Sequence, residues 1–217
     1  MCSPNRWSVT MLLVILPATL GTADPPAPVQ AFKSLVNGSD LSQWQGNFKL
    51  WSARDGVIVG KSPGIKNNEF LTSRDTYEDF ELRLEFRLHA GQGNSGIQFR
   101  SRRAPNSTAV IGYQADIGQD YWGCLYDEHR RRKVLAHAPP ELAKVLKKSG
   151  WNTYQIRAEG PRVTLTINGL KTVDYRETDK DIARSGIVAL QIHSGSAMQI
   201  DFRNIRIRRL HASRPAP

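Results

Sequence analysis

Between Phe80 and Leu88 the chain alternates without a break. Phe80, Leu82, Leu84, Phe86 and Leu88 share one parity, and Glu81, Arg83, Glu85 and Arg87 share the other. Successive side chains of a strand point to opposite faces, so this run reads as a strand with one face on a core and one polar face. The same period recurs in Ile97-Gln-Phe-Arg100, Tyr154-Gln-Ile-Arg157, Val163-Thr-Leu-Thr-Ile167, Val188-Ala-Leu-Gln-Ile-His193 and Ile200-Asp-Phe202. In the last of these the apolar phase slips at Arg203-Asn204 and resumes at Ile205 and Ile207, which predicts a β-bulge.

Turn signals separate the runs: Asp55-Gly56, Gly91 to Gly96, Asn168-Gly169 and Ser185-Gly186. Asn-Gly between two alternating runs predicts a hairpin over Val163 to Tyr175. The Gly91 to Gly96 stretch lacks the lysine of a phosphate-binding loop and reads as a hairpin turn. Only Pro140 to Lys148 looks helical, with a proline near its start and lysines near its end. Many short strands, regular turns and one short helix specify an all-β, antiparallel two-sheet sandwich.

The ends have a different composition. Arg6 is the only charge in the first 23 residues, and the apolar run Val9 to Leu16 precedes Pro17 and the small residues Gly21-Thr-Ala23. This is the pattern of a secretory signal peptide, expected over 1–23. The run is far shorter than the roughly 20 residues needed to span a bilayer, so no membrane span is expected. Residues 24–30 read as a Pro-rich linker, 31–210 as the folded domain and 211–217 as a disordered tail. The protein is thus expected in the periplasm or outside the cell. Of its two cysteines only Cys124 would survive cleavage, so stability must come from the core rather than a disulfide. A net charge of +10 first suggests nucleic acid. Export argues against that partner, and leaves the clusters Arg100-Ser-Arg-Arg103, Arg130-Arg-Arg-Lys133 and Arg206-Ile-Arg-Arg209 as a possible polyanion-binding feature.

Six stretches go beyond generic strand pattern: Leu35 to Trp44 (LVNGSDLSQW), Asp79 to Phe86 (DFELRLEF), Gly93 to Arg100 (GNSGIQFR), Gly112 to Gly118 (GYQADIG), Leu190 to Gly195 (LQIHSG) and Phe202 to Ile207 (FRNIRI). In this order and spacing the chain resembles the 3-keto-disaccharide hydrolase domain family, over about residues 31 to 210. The resemblance implies a concanavalin-like jelly-roll sandwich and a hydrolase acting on glycosides oxidised at C3 of the sugar. A C3 ketone acidifies the C2 proton, so its removal gives an enolate that expels the C1 substituent, and water can add back for net hydrolysis. Such a site needs a base, an acid for the leaving oxygen and donors facing the enolate oxygen. A two-carboxylate glycosidase is the competing mechanism, and a non-catalytic, lectin-like carbohydrate-binding module is the competing function, since fold does not dictate function.

The polar parity of the strands supplies the candidates. Asp116 and His193 are the catalytic candidates, either one as base or as acid, with Gln98, Arg100, Gln114 and Gln191 as substrate-binding donors and acceptors. If their strands lie side by side with the one bearing Glu81, Arg83 and Glu85, these residues share one surface; the alternative is a merely solvated sheet face. Tyr121, Trp122 and Tyr126 could stack on sugars or belong to the core, and Asp127 or Glu128 could reach the same pocket. The run Glu81 to Glu85 is similar to the E-x-D-x-E strand of laminarinase-like glycosidases, but Arg83 replaces the central carboxylate. Residues four apart on a strand stand roughly 13 Å apart, against the about 5–5.5 Å of a retaining pair. A cross-strand structural role is therefore expected there, with Glu85 kept as a secondary catalytic candidate. No histidine pair has metal-ligand spacing, and no cofactor or metal is expected, although a carboxylate-rich calcium site would leave little trace in sequence.

Overall fold

The computed structural model describes residues 30–210. The expected signal peptide, all but the last residue of the linker, and the tail lie outside the described residues. In chain order the strands are β1 (Lys33–Ser34), β2 (Trp44–Gln45), β3 (Trp51–Arg54), β4 (Val57–Ile65), β5 (Glu69–Tyr77), β6 (Phe80–Leu88), β7 (Asn94–Arg103) and β8 (Val110–Gly118). They continue as β9 (Leu125–Glu128), β10 (Val134–Ala136), β11 (Asn152–Glu159), β12 (Arg162–Ile167), β13 (Leu170–Arg176), β14 (Gly186–Ile192) and β15 (Gly195–Arg209).

Two antiparallel sheets result. An eight-stranded sheet runs β13-β12-β11-β6-β15-β4-β3, with β1 added against β15, and a seven-stranded sheet runs β10-β9-β8-β7-β14-β5-β2. The five apolar residues of β6 are all buried, and they meet Ile97, Phe99, Tyr113, Ala115, Ile117, Val188, Leu190 and Ile192 of the other sheet in one continuous core. Burying side chains of this size stabilises by about 1.5–3 kcal/mol each. Because parity alone decides facing, the polar residues of β6 and those of β7, β8 and β14 are turned away from one another, on opposite sides of the sandwich.

Asn168 and Gly169 both take positive φ and close the β12–β13 hairpin, as the Asn-Gly signal predicts. The bulge in β15 falls where the apolar phase slips: pairing with β6 shifts between Arg203 and Arg206, and Asn204 has φ of 53°. Two expectations need correction. Gly91 to Gly96 is not a hairpin turn, because β6 and β7 belong to different sheets. The segment holds a 3₁₀ turn at His89–Gly91 and carries the chain across a corner of the sandwich. The helix expected over Pro140 to Lys148 shrinks to one turn, Leu142–Val145, which ends where Leu146 becomes extended. The side chain of Asn152 holds the following backbone through both the N–H and the carbonyl of Lys147.

Candidate active site

The outer face of the seven-stranded sheet carries a cavity of about 330 Å³ lined by Asn94, Gln114, Asp116, Gln119, Tyr121, Tyr126, Glu128 and His193. Its floor is β8. There Tyr113, Ala115 and Ile117 point into the core, so Gln114 and Asp116 point the other way. Antiparallel β9 adds Tyr126 directly opposite Gln114, and two residues on, Glu128. His193 follows the last residue of β14, and its backbone N–H bonds to the carbonyl of Asn94, joining the start of β7 to the end of β14. The 3₁₀ turn Gln119–Tyr121 brings Tyr121 over the cavity, where its ring stands edge-on to Tyr126 with centroids 6.2 Å apart.

A chain of amides lies beneath. Gln98 Nε2 donates to Gln114 Oε1 at 3.0 Å, and Gln114 Nε2 donates to Asp116 Oδ1 at 2.7 Å and to Gln191 Oε1 at 3.3 Å. Gln98 and Gln191 are fully buried and so support the cavity instead of lining it. Gly96 makes room for them: a Cβ there would stand 2.6 Å from Gln114 Cγ.

The two carboxyls in the cavity are displaced from their ordinary behaviour. Burial holds the Asp116 carboxyl well above the usual carboxylate range, against a hydrogen bond from Gln114 and with a further push from nearby Glu128. Its Oδ2 is buried without a hydrogen-bond partner, so a neutral Asp116 has an unspent O–H donor. Glu128 is also raised, first by burial, despite the opposing charges of His129, His193 and Arg132. His193 Nδ1 lies 2.7 Å from the carbonyl oxygen of Ser194. A carbonyl only accepts, so Nδ1 carries the proton, and in the neutral ring Nε2 keeps its lone pair. The site therefore offers a base nitrogen, two carboxyls disposed to hold protons and aromatic edges. Among the described residues no group of three or more His, Cys, Asp or Glu side chains is placed to share a metal ion.

Of the residues singled out from sequence, Asp116, His193, Gln114, Tyr121, Tyr126 and Glu128 meet here, with Gln98 and Gln191 one layer below. Glu85 does not join them. It lies on the outer face of the other sheet, where Arg203 donates two hydrogen bonds to its carboxylate and Asn204 a third. Arg100 also leaves the expected face. It sits at positive φ in a bulge of β7, and this break in alternation sends its guanidinium to Asp79 and to the carbonyls of Glu78 and Gly160. Asp127 has the parity opposite to Glu128 and is fully buried, clamped by Arg130 and Arg131. Trp122 packs on the core, with its ring 6.3 Å from that of Phe86. Sequence reasoning did not single out Asn94 and Gln119; the Gly93-Asn94 and Gly118-Gln119 steps, which the antiparallel pairing brings to the same end of β7 and β8, are their only signal.

Four of the ten basic side chains in the three clusters form ion pairs within the fold, Arg100 with Asp79, Arg130 and Arg131 with Asp127, and Arg208 with Glu81.

No curated protein matches the sequence. Among solved structures, a "putative glycosyl hydrolase" from Parabacteroides distasonis ATCC 8503 superposes with a TM-score of 0.64 at 22% identity, covering 82% of this chain and 94% of that one. A second structure of that description gives 0.62 at 23% identity, covering 83% and 100%. The carbohydrate-binding module CBM66 from Bacillus subtilis gives 0.58 at 18% identity, covering 76% and 95%. At these identities the likeness is one of fold, and it agrees with the concanavalin-like sandwich expected from sequence. The pattern that defines the family described as "3-keto-alpha-glucoside-1,2-lyase-like domain" matches residues 31–208.

Proposed function

Since the chain belongs to the 3-keto-alpha-glucoside-1,2-lyase-like family, we propose that it cleaves 3-keto-glycosides by abstracting the C2 proton and eliminating the C1 substituent. The observation that carries this reading is the sharing of one cavity by a buried, proton-holding Asp116 with an unpartnered oxygen, a second raised carboxyl in Glu128, and His193 with Nε2 free to accept.

In this reading His193 Nε2 takes the C2 proton, and the C2–H electron pair moves into an enolate whose charge rests on the C3 oxygen. The neutral Asp116 donates its Oδ2–H to that oxygen, an interaction that strengthens as charge develops. The enolate then re-forms the ketone, the C1=C2 double bond appears, the C1–O bond breaks, and Glu128 gives its proton to the departing oxygen. The products are a free alcohol and a 1,2-unsaturated 3-keto sugar. Addition of water across C1=C2 would complete a net hydrolysis. Tyr121 and Tyr126 offer edges and faces against which a sugar ring can rest. The apolar run before Pro17 supports an exported protein, acting in the periplasm or beyond.

The test is to incubate the protein with a 3-keto disaccharide and with its unoxidised parent, in heavy water. Cleavage of the oxidised sugar alone, with deuterium entering C2 of recovered substrate, is the expected result. Cleavage of both would move the mechanism to the oxocarbenium route. Saturable binding without turnover would make the domain a carbohydrate-binding module.

A further inference from the structure

We infer that the outer face of the eight-stranded sheet, across the sandwich from the cavity, is a docking surface for an acidic polysaccharide. Strands β6, β11 and β15 set six arginines on this face: Arg83, Arg87, Arg157, Arg203, Arg206 and Arg208. The carboxylates standing among them are Glu81, Glu85, Glu159 and Asp201. Most of the cross-strand pairing between β6 and β15 is charge-complementary, with Asp201 opposite Arg87, Arg203 opposite Glu85, and Arg208 opposite Glu81. One pair breaks the rule. Arg206 stands directly opposite Arg83, and like charges so placed cost stability. Arg83 leans to Glu81 at 2.6 Å, whereas Arg206 is exposed and has no ion-pair partner among the described residues.

This unbalanced pair borders a depression of about 320 Å³ whose other side chains include Glu85, Thr153, Gln155 and Asn204. Guanidinium groups beside hydroxyls and amides match a chain that carries carboxylate or sulfate groups among sugar hydroxyls. Two alternatives fit less well. The aromatic rings of the face are already capped, Phe32 by Arg83, Arg206 and Arg208 and Trp151 by Arg87 and Arg203, at 4.1–5.9 Å, so none is open to stack on a base. The large exposed apolar side chains of the described residues, Phe48, Tyr121 and Val145, do not line the depression, so it lacks the wedge with which a protein enters a bilayer interface.

The experiment is calorimetric titration of the full chain with polygalacturonate fragments, with sulfated dextran and with neutral dextran at several salt concentrations. Binding to an acidic polymer that weakens steeply with salt is expected, as is weakening of about tenfold or more in Arg206→Glu. Comparing the two acidic polymers identifies carboxylate or sulfate as the preferred group. Because Arg206→Glu trades the repulsion from Arg83 for one from Glu85, its melting temperature is expected to stay close to that of the parent, and Arg206→Ala gives the same ordering of affinities with a smaller loss. Neutral dextran binding as tightly as the acidic polymers, or full affinity retained in Arg206→Glu, would overturn the inference. So would duplex DNA or anionic phospholipid vesicles binding as tightly with the same sensitivity to Arg206. The readout is binding on the far side of the molecule from His193, so its failure and a failure of the proposed lyase reaction are separate results.

Discussion

Gln114 donates from Nε2 to Oδ1 of Asp116 at 2.7 Å, and the other oxygen of that carboxyl is buried with no partner. Gln98 donates to Gln114 Oε1, an arrangement that turns the NH₂ of Gln114 toward Asp116 and Gln191. With Oδ1 committed as an acceptor, the proton of a neutral Asp116 belongs on Oδ2. A buried carboxyl kept neutral in this way is a hydrogen-bond donor to a developing oxyanion, not a base.

Substituting Asp116 separates these roles. In Asp116→Asn the fixed Gln114 amide still demands an acceptor, so the new NH₂ occupies the position of Oδ2 and continues to donate. A loss of about tenfold in kcat is expected, against about 10²–10³ for Asp116→Ala, the usual cost of deleting one oxyanion donor. Complete loss in Asp116→Asn would instead make Asp116 the base. Stability supplies a second check. The folded protein holds a proton that the unfolded chain releases near pH 3.9, so the stability of the parent is expected to fall as pH rises from there toward the raised folded value. Asp116→Asn cannot ionise, and thermal melts should show its advantage over the parent widening with pH across that range.

His193 carries the proton transfer in the proposed reaction. His193→Gln keeps a polar side chain of similar reach but no base, and a fall in kcat of about 10²–10⁴ with little change in KM is expected. Deuterium exchange at C2 should disappear in parallel. A variant that still exchanged C2 but no longer released the alcohol would move His193 from base to acid.

Glu81 and Glu85 test the opposite claim, that the charges of β6 serve structure. Glu81 is almost wholly buried among Arg83, Arg157 and Arg208. Burial pushes its carboxyl up, but hydrogen bonds from Arg208 and Arg83 outweigh this and hold it below its ordinary value. Such a group contributes stability that is present above its unfolded value of about 4.3 and is lost as pH falls through the folded one. Glu81→Gln is expected to cost about 2–4 kcal/mol at neutral pH, below the about 3–5 kcal/mol for one partner of a fully buried ion pair because its arginines are partly exposed. Glu85→Gln should cost less, being more exposed, and neither should change turnover by more than about twofold. Denaturant unfolding beside a kinetic assay decides it. A large loss of kcat in Glu85→Gln would return that residue to the catalytic candidates.

The contrast between Glu85 and Asp116 shows what was legible in the sequence. Each sits at a polar parity position of an alternating run, and parity specifies which residues face away from a core. Parity does not specify which sheet a strand joins. That is set by long-range pairing, which here puts β6 beside β15 and β7 beside β14. The bulge at Arg203-Asn204 was readable because the apolar residues themselves shift phase. The bulge at Arg100 was not, because polar residues follow Phe99 on either phase. Glu128 and Asp127 differ only in register, and the pairing of Tyr126 with Gln114 decides between them. The candidate acids and bases could therefore be named from residue chemistry, while their grouping into one cavity needed the sheet order.

Gly96 offers a test of the amide chain that touches no ionisable group. It lies on β7 opposite Asp116, and its φ is not in the left-handed region, so alanine meets no backbone strain. The obstacle is space. A Cβ would stand 2.6 Å from Gln114 Cγ, 2.7 Å from Cδ and 3.0 Å from Nε2, closer than packed atoms tolerate. Gln114 must swing aside, and the bond from its Nε2 to Asp116 Oδ1 is the first to be lost. Overpacking of this kind costs about 1–3 kcal/mol, and a melting temperature lowered to match is expected in Gly96→Ala. The displaced amide should also lower kcat by about tenfold or more while leaving His193 and Glu128 in place. Adding Gln114→Ala to Gly96→Ala removes the clash but strands the Nε2–H of Gln98, so the double variant should recover only part of the stability lost by Gly96→Ala and none of the activity. Recovery of both would show that turnover does not need the Gln114 amide. Recovery of stability without turnover would tie Gln114 to the orientation of the Asp116 carboxyl.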